Sequence, residues 1–172
     1  MTEDIQNLLR TVEKGARTEI WEAAKQLESI SVEMVLSLIH LLESGKQTET
    51  RAAAAYVLGF SRFASARTAL EQVLDDTEQD ASLRGHAAEA LAYIGDPRSL
   101  GVLIKNLRDS NPGVKYWCAF ALGQISDSKA IAALEQMAEN VGDQHYDKYS
   151  LRAEALDAIG RIKERPGASA PG

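Results

Sequence analysis

Four stretches of the chain repeat one arrangement of apolar and polar positions: residues 51–60 (RAAAAYVLGF), 84–96 (RGHAAEALAYIGD), 115–127 (KYWCAFALGQISD) and 152–162 (RAEALDAIGRI). Each opens on a basic residue, with two small or apolar residues three and four places on: Ala54/Ala55, Ala87/Ala88, Cys118/Ala119 and Ala155/Leu156. Leu58, Leu91, Leu122 or Ile159 follows at the seventh place, then Gly59, Ala92, Gly123 or Gly160. Apolar residues three and four apart lie on one face of a helix, so each stretch predicts an amphipathic helix. A second helix follows each of the first three, marked by Leu70/Leu74, Leu100/Leu103/Ile104/Leu107 and Ile131/Leu134/Met137/Ala138. The basic residues recur at intervals of 33, 31 and 37, the length of a two-helix solenoid unit.

Turn chemistry separates the helices. Gly95-Asp96-Pro97 ends one and starts the next, with Asp96 as N-cap and Pro97 in the first turn. Asp109-Ser110-Asn111-Pro112 does the same between units. Gly15, Gly45, Gly113 and Gly142 fall where helices begin or end, a turn role. Small residues at the paired positions let stacked helices approach closely.

Composition agrees with this reading. Ala and Leu supply 45 of the 172 residues against 18 for Val and Ile, a bias toward helix over sheet. The 45% hydrophobic and 26% charged content is that of a globular chain able to bury a core. A formal charge of −6 argues against a general polyanion binder. Cys118 stands alone, so no disulfide framework is expected. The acidic start, MTEDIQNLLR, lacks the pattern of a signal peptide, and no apolar run has the length of a membrane span. The expected compartment is the cytoplasm.

The motif of Leu83-Arg84…Ala87-Ala88…Leu91…Ile94-Gly95-Asp96, and again of Val114-Lys115…Cys118-Ala119…Leu122-Gly123…Ile125, resembles the HEAT-like repeats of the phycobilisome-lyase type. The resemblance implies an all-α, right-handed α-solenoid of about five antiparallel helix pairs. One repeat domain is expected over residues 1–164, clear from 48 and degenerate over 1–47. In that earlier part Ala23-Ala24, Leu27 and Ile30 suggest a weak repeat, followed by an apolar helix over Met34–Leu42. A capping helix carries Ile5, Leu8, Leu9 and Val12. The tail 165–172, RPGASAPG, has no apolar period and is expected to be disordered.

With the basic residue as position 2, positions 1, 5, 8, 9 and 12 face the core, and positions 3, 4, 7 and 11 face away from it. In arrays of this family that second face lines the concave groove and varies with the ligand. Here it carries Ala52, Ala53, Tyr56 and Phe60, then Gly85, His86, Glu89 and Tyr93, then Tyr116, Trp117, Phe120 and Gln124, and last Ala153, Glu154, Asp157 and Arg161. Six of the chain's ten aromatic residues lie there. The candidate binding residues are therefore Tyr56, His86, Glu89, Tyr93, Tyr116, Trp117, Phe120, Glu154 and Asp157, with an aromatic centre at Tyr116, Trp117 and Phe120. Trp117 and Phe120 are expected to be exposed. For Phe60 and Tyr93, groove and inter-repeat core both stay open, and Trp21 extends the row if its repeat keeps phase.

Other residues have plainer readings. The row Arg51, Arg84, Lys115 and Arg152 is expected to pair with acids at inter-repeat turns, such as Asp76, Asp109 and Asp147, and so to order the array. Cys118 takes a core position and reads as a small buried hydrophobe. HEAT-like deoxyhypusine hydroxylase, a di-iron oxygenase, would require His-Glu pairs in several repeats. His40, His86 and His145 are followed by Leu41, Ala87 and Tyr146, so no such pair occurs. The sequence thus predicts no catalytic residue, no metal and no cofactor.

The function expected from these features is a non-catalytic protein-interaction scaffold or adaptor. Its ligand would be a protein or peptide with an apolar anchor and basic residues, and self-association through the aromatic patch stays open. A phycobilin-lyase-like subunit or bilin-binding chaperone is the alternative that the resemblance implies. A HEAT-like nucleic-acid binder comes third, because the face holds Glu89, Glu154 and Asp157 against Arg161. Neither nucleic acid nor membrane is expected as a partner.

Overall fold

A computed structural model describes residues 32–165. The helices are α1 (Val32–Ser44), α2 (Thr48–Phe60), α3 (Arg67–Asp75), α4 (Ala81–Ile94), α5 (Leu100–Asn106), α6 (Pro112–Ile125), α7 (Ile131–Asn140) and α8 (Leu151–Glu164). Short 3₁₀ turns at Ala64–Ala66, Pro97–Ser99 and Ser128–Ala130 lead into α3, α5 and α7. Two two-residue strands, β1 (His145–Tyr146) and β2 (Tyr149–Ser150), form an antiparallel hairpin ahead of α8, pairing His145 with Ser150 and Tyr146 with Tyr149. The capping helix, the degenerate repeat with Trp21, and all of the tail after Arg165 lie outside the described residues.

Helices α2, α4, α6 and α8 stack on one another in order, with α3, α5 and α7 packed behind them as a second layer. This is the α-solenoid expected from the repeat. Its core runs along the stack: Leu58, Leu91, Leu122 and Leu151 are fully buried, with Leu70, Leu74, Leu103 and Leu134 facing them from the second layer. Each such leucine contributes about 1.5–3 kcal/mol relative to exposure. The small pairs do what their size allows. A Cβ on Gly59 would stand 2.4 Å from the Cα of Ala90, so α2 and α4 are in backbone contact there. A Cβ on Gly123 would stand 3.0 Å from the Cα of Ala158, which sets the approach of α6 to α8.

The caps follow the turn chemistry. Asp96 accepts from the Arg98 N–H at 2.9 Å, with Pro97 in the first turn. Asn111 Oδ1 accepts from the N–H groups of Gly113 and Val114 at 2.8 and 3.2 Å. Gly95, at φ 68°, closes α4 in the left-handed conformation that glycine adopts without strain.

Three of the four basic-row residues make inter-repeat contacts, while Arg152 is exposed and makes no ion pair among the described residues. Arg51 Nε donates to the Leu42 carbonyl at 2.7 Å and a terminal nitrogen to Gln79 Oε1 at 2.7 Å. Arg84 Nε donates to the Leu74 carbonyl at 3.2 Å, and the guanidinium forms an ion pair with Asp109. These two residues tie the preceding second-layer helix to the next inter-repeat turn. Asp109 was the expected partner. At the first rung Gln79 takes the contact, itself bonded to Asp76. At the third, Lys115 reaches Gln144, and Asp147 is not its partner.

Candidate functional site

The face made by positions 3, 4, 7 and 11 is less open than helical periodicity implies. Ala53, Gly85 and Glu89 are buried, and its aromatic residues are all half-buried. Trp117 and Phe120, expected to be exposed, pack against the core. The correction has a physical cause: a helix's own period says which way a side chain points, while the neighbouring first-layer helix, approached to glycine distance, decides what covers it. Gly85 leaves room beside Trp117, whose Cδ1 lies 3.6 Å from where a Cβ would stand.

The face divides into two clusters. On α2 and α4, Tyr56 and Phe60 stack at 5.9 Å between ring centroids, and Tyr93 meets them edge-on at 6.5 and 6.0 Å. Phe60 and Tyr93 therefore belong to one half-buried ring group rather than to the closed core. Beside it sits Glu89, its side chain 7% exposed. Tyr93 donates its hydroxyl proton to Glu89 Oε1 at 3.4 Å, and His86 Nδ1 lies 3.4 Å from Oε2. Among the described residues no Lys or Arg pairs with Glu89.

On α6, the hairpin and α8 the second cluster is larger. Tyr116 meets Trp117 at 5.3 Å, and Trp117 meets Phe120 at 5.6 Å. The hairpin lays Tyr146 and Tyr149 against Tyr116, each at 5.5 Å. Tyr146 is seated over Gly113, where a Cβ would stand 2.8 Å from its ring. Arg161 places its guanidinium 5.0 Å from the centre of Phe120 and bonds Glu154 at 2.5 Å and Asp157 at 3.1 Å. Burial raises the Glu154 carboxyl above its ordinary value, with Arg161 opposing. The Tyr116 hydroxyl is pushed up to about 12, first by burial and then by the charge of Glu154. The acids of this half are thus already answered by a cation of the same helix.

Tyr146 and Tyr149 escaped the sequence reading because they lie between helices. Their signal is the 37-residue interval before Arg152, longer than the other two, which accommodates the hairpin. Cys118 is fully buried, and burial pushes its thiol well above the ordinary range, so it is no nucleophile.

A family model described as HEAT repeats matches residues 69–144 and 102–171. The chain belongs to the HEAT-repeat family. In solved structures it is similar to the CpcE–CpcF complex of phycocyanin lyase from Nostoc sp. PCC7120, at TM-score 0.69 and 17% identity over 90% of this chain and 96% of that one. It is also similar to a designed armadillo repeat protein, at TM-score 0.54 and 17% identity over 92% and 82% of the two chains. At such identity both likenesses concern the fold alone. Among curated proteins, the deoxyhypusine hydroxylase of Drosophila melanogaster is 34% identical over 64% of this chain and 39% of its own length. That of Saccharomyces cerevisiae is 33% identical over 69% and 34%, and deoxyhypusine hydroxylase-B of Oryza sativa subsp. japonica 30% identical over 72% and 41%. The chain spans less than half the length of these relatives.

These relatives are enzymes by name, and they overturn the expectation of a non-catalytic scaffold or adaptor and of a chain that is no enzyme. The di-iron group of that enzyme does not fit the side chains present. No His-Glu pair occurs in the sequence. Among the described residues no three His, Cys, Asp or Glu side chains converge on a metal-sized site. His86 and Glu89 touch as a pair, while Glu154 and Asp157 are engaged by Arg161. A guanidinium at the acids repels a metal cation, so no chemical step is assigned to iron in this chain.

Proposed function

We propose that the chain works as part of an enzyme of the deoxyhypusine hydroxylase kind, and that its first-layer face holds the amine-bearing side chain of a protein substrate. The observation that carries this reading is Glu89: a buried carboxylate beside the rings of Tyr56, Phe60 and Tyr93 that has no Lys or Arg among the described residues. An ammonium group supplies the missing charge, and aromatic faces attract cations further. Deoxyhypusine, the residue in the relatives' name, is a lysine side chain extended by an aminobutyl arm and carries two ammonium groups. A long cationic arm reaches a carboxylate set behind aromatic rings where a compact residue does not. His86, with a side chain 40% exposed, brings Nδ1 to 3.4 Å from the opposite carboxylate oxygen without a hydrogen bond. The partner expected from the sequence, basic with an apolar part, is of this chemistry.

The test is calorimetric titration with two peptides of one sequence, one carrying deoxyhypusine and the other unmodified lysine. The reading expects the modified peptide to bind at least tenfold tighter, about 1.4 kcal/mol. Equal affinities, or no binding of either peptide, would overturn it.

A further inference from the structure

Between α5 and α7, behind the first-layer stack, lies a cavity of about 260 Å³ that shares no residue with the face just described. Its walls are Ile104, Leu107, Met137 and Val141, and the side chains of Lys115 and Arg108 also line it. Lys115 occupies the third rung of the basic row. Arg51 and Arg84, on the earlier rungs, each span two partners with a branched guanidinium, one of them a backbone carbonyl. Lysine is unbranched, and among the described residues the Lys115 side chain makes one hydrogen bond, to Gln144 Oε1.

The charge is also unbalanced. Lys115 is 8% exposed, and among the described residues no carboxylate lies within ion-pairing reach of it. Asp109, which also borders the cavity, is held by Arg84. Desolvation alone shifts the Lys115 ammonium, and it shifts it downward, as expected of a buried cation without a counter-charge. Arg108 is exposed and donates to Gln136 at 2.8 Å, so it adds positive potential without filling the space.

We infer that this cavity binds a small apolar monocarboxylate, its anionic end on Lys115 and its hydrocarbon against Leu107, Met137 and Val141. The volume lies below the roughly 300–1,000 Å³ of sites for drug-sized ligands, which selects a short-chain acid. Burying an ammonium beside an anion removes the cost of leaving it unpaired.

Hexanoate is the probe, with hexan-1-ol as its uncharged counterpart, in isothermal titration and thermal shift on the full chain at neutral pH. Saturable hexanoate binding is expected, with hexan-1-ol at least tenfold weaker. Lys115→Met keeps the apolar stem and should lose tenfold or more in hexanoate affinity. Lys115→Arg keeps the cation and should retain saturable hexanoate binding, so a loss confined to Lys115→Met reads the charge. Equal binding of acid and alcohol to the unmodified chain would overturn the inference even if a variant failed to fold. So would absence of saturable hexanoate binding, or unchanged hexanoate affinity in Lys115→Met.

Discussion

Glu89 and Glu154 occupy the same face of the same fold, one on α4 and the other on α8, and they differ in what answers their charge. Glu154 is bonded by Arg161, which also covers Phe120 and reaches Asp157. Glu89 has a histidine and a tyrosine hydroxyl, both at 3.4 Å. The hairpin rings close over Tyr116 in the α6–α8 half. A repeat array can therefore carry, two rungs apart, one carboxylate with a cation of its own helix and one with no Lys or Arg partner among the described residues. The second is where a cationic ligand gains most.

Substitutions sharpen this contrast, and the largest effects come from the contacts that hold each half together. Gly59→Ala puts a methyl 2.4 Å from the Cα of Ala90, backbone against backbone, so α2 and α4 must part. A loss at the upper end of about 1–3 kcal/mol is expected by denaturant unfolding. Trp117→Ala/Phe120→Ala removes two rings packed on the core and should lower the melting temperature clearly, because cavities left by aromatic residues are costly even when half-buried.

Arg161→Met leaves Glu154 without its cation and should cost about 1–3 kcal/mol at neutral pH. The sign with pH is defined. The folded-state pKa of Glu154 lies above its ordinary 4.5, so the folded chain holds the proton longer and stability falls as pH rises through that window. Removing Arg161 raises the pKa further and steepens the fall, and Glu154→Gln flattens it; unfolding followed from pH 4 to 8 reads both. Gly123→Ala is milder than Gly59→Ala, because two of its three closest contacts are Arg161 side-chain atoms that can move. The smallest effect is Tyr146→Ala, which strips one ring from an exposed hairpin and should cost about 0.5–1.5 kcal/mol, seen also as a change in tryptophan fluorescence.

Much of the fold was legible in the sequence because it is local. The basic residue, the small pair and the leucine repeat within one helix, and the caps at Asp96 and Asn111 repeat within one turn. The positions assigned to the core are buried in α6, from Val114 to Ile125, and in α4 from Leu83 to Leu91, with Ile94 partly buried. What escaped is set by contacts between distant residues. Glu89 reads as an outward polar residue on its own helix, yet it is buried once its neighbours on α2 and α6 close around it. Phe120 reads as an exposed ring, yet it lies under an arginine from the next repeat. The hairpin tyrosines have no helical period to announce them. The functional reading failed for a related reason: absent His-Glu pairs argue against a metal centre among these residues, and they do not argue against descent from an enzyme.

The most direct measurement is titration of the deoxyhypusine peptide into the unmodified chain, Glu89→Gln and Glu154→Gln side by side, with folding of each checked by circular dichroism. Glu89→Gln should weaken binding tenfold or more, and Glu154→Gln should leave it within about twofold. An equal loss in both variants, or a loss confined to Glu154→Gln, would contradict the assignment of the open acceptor to the α2–α4 half.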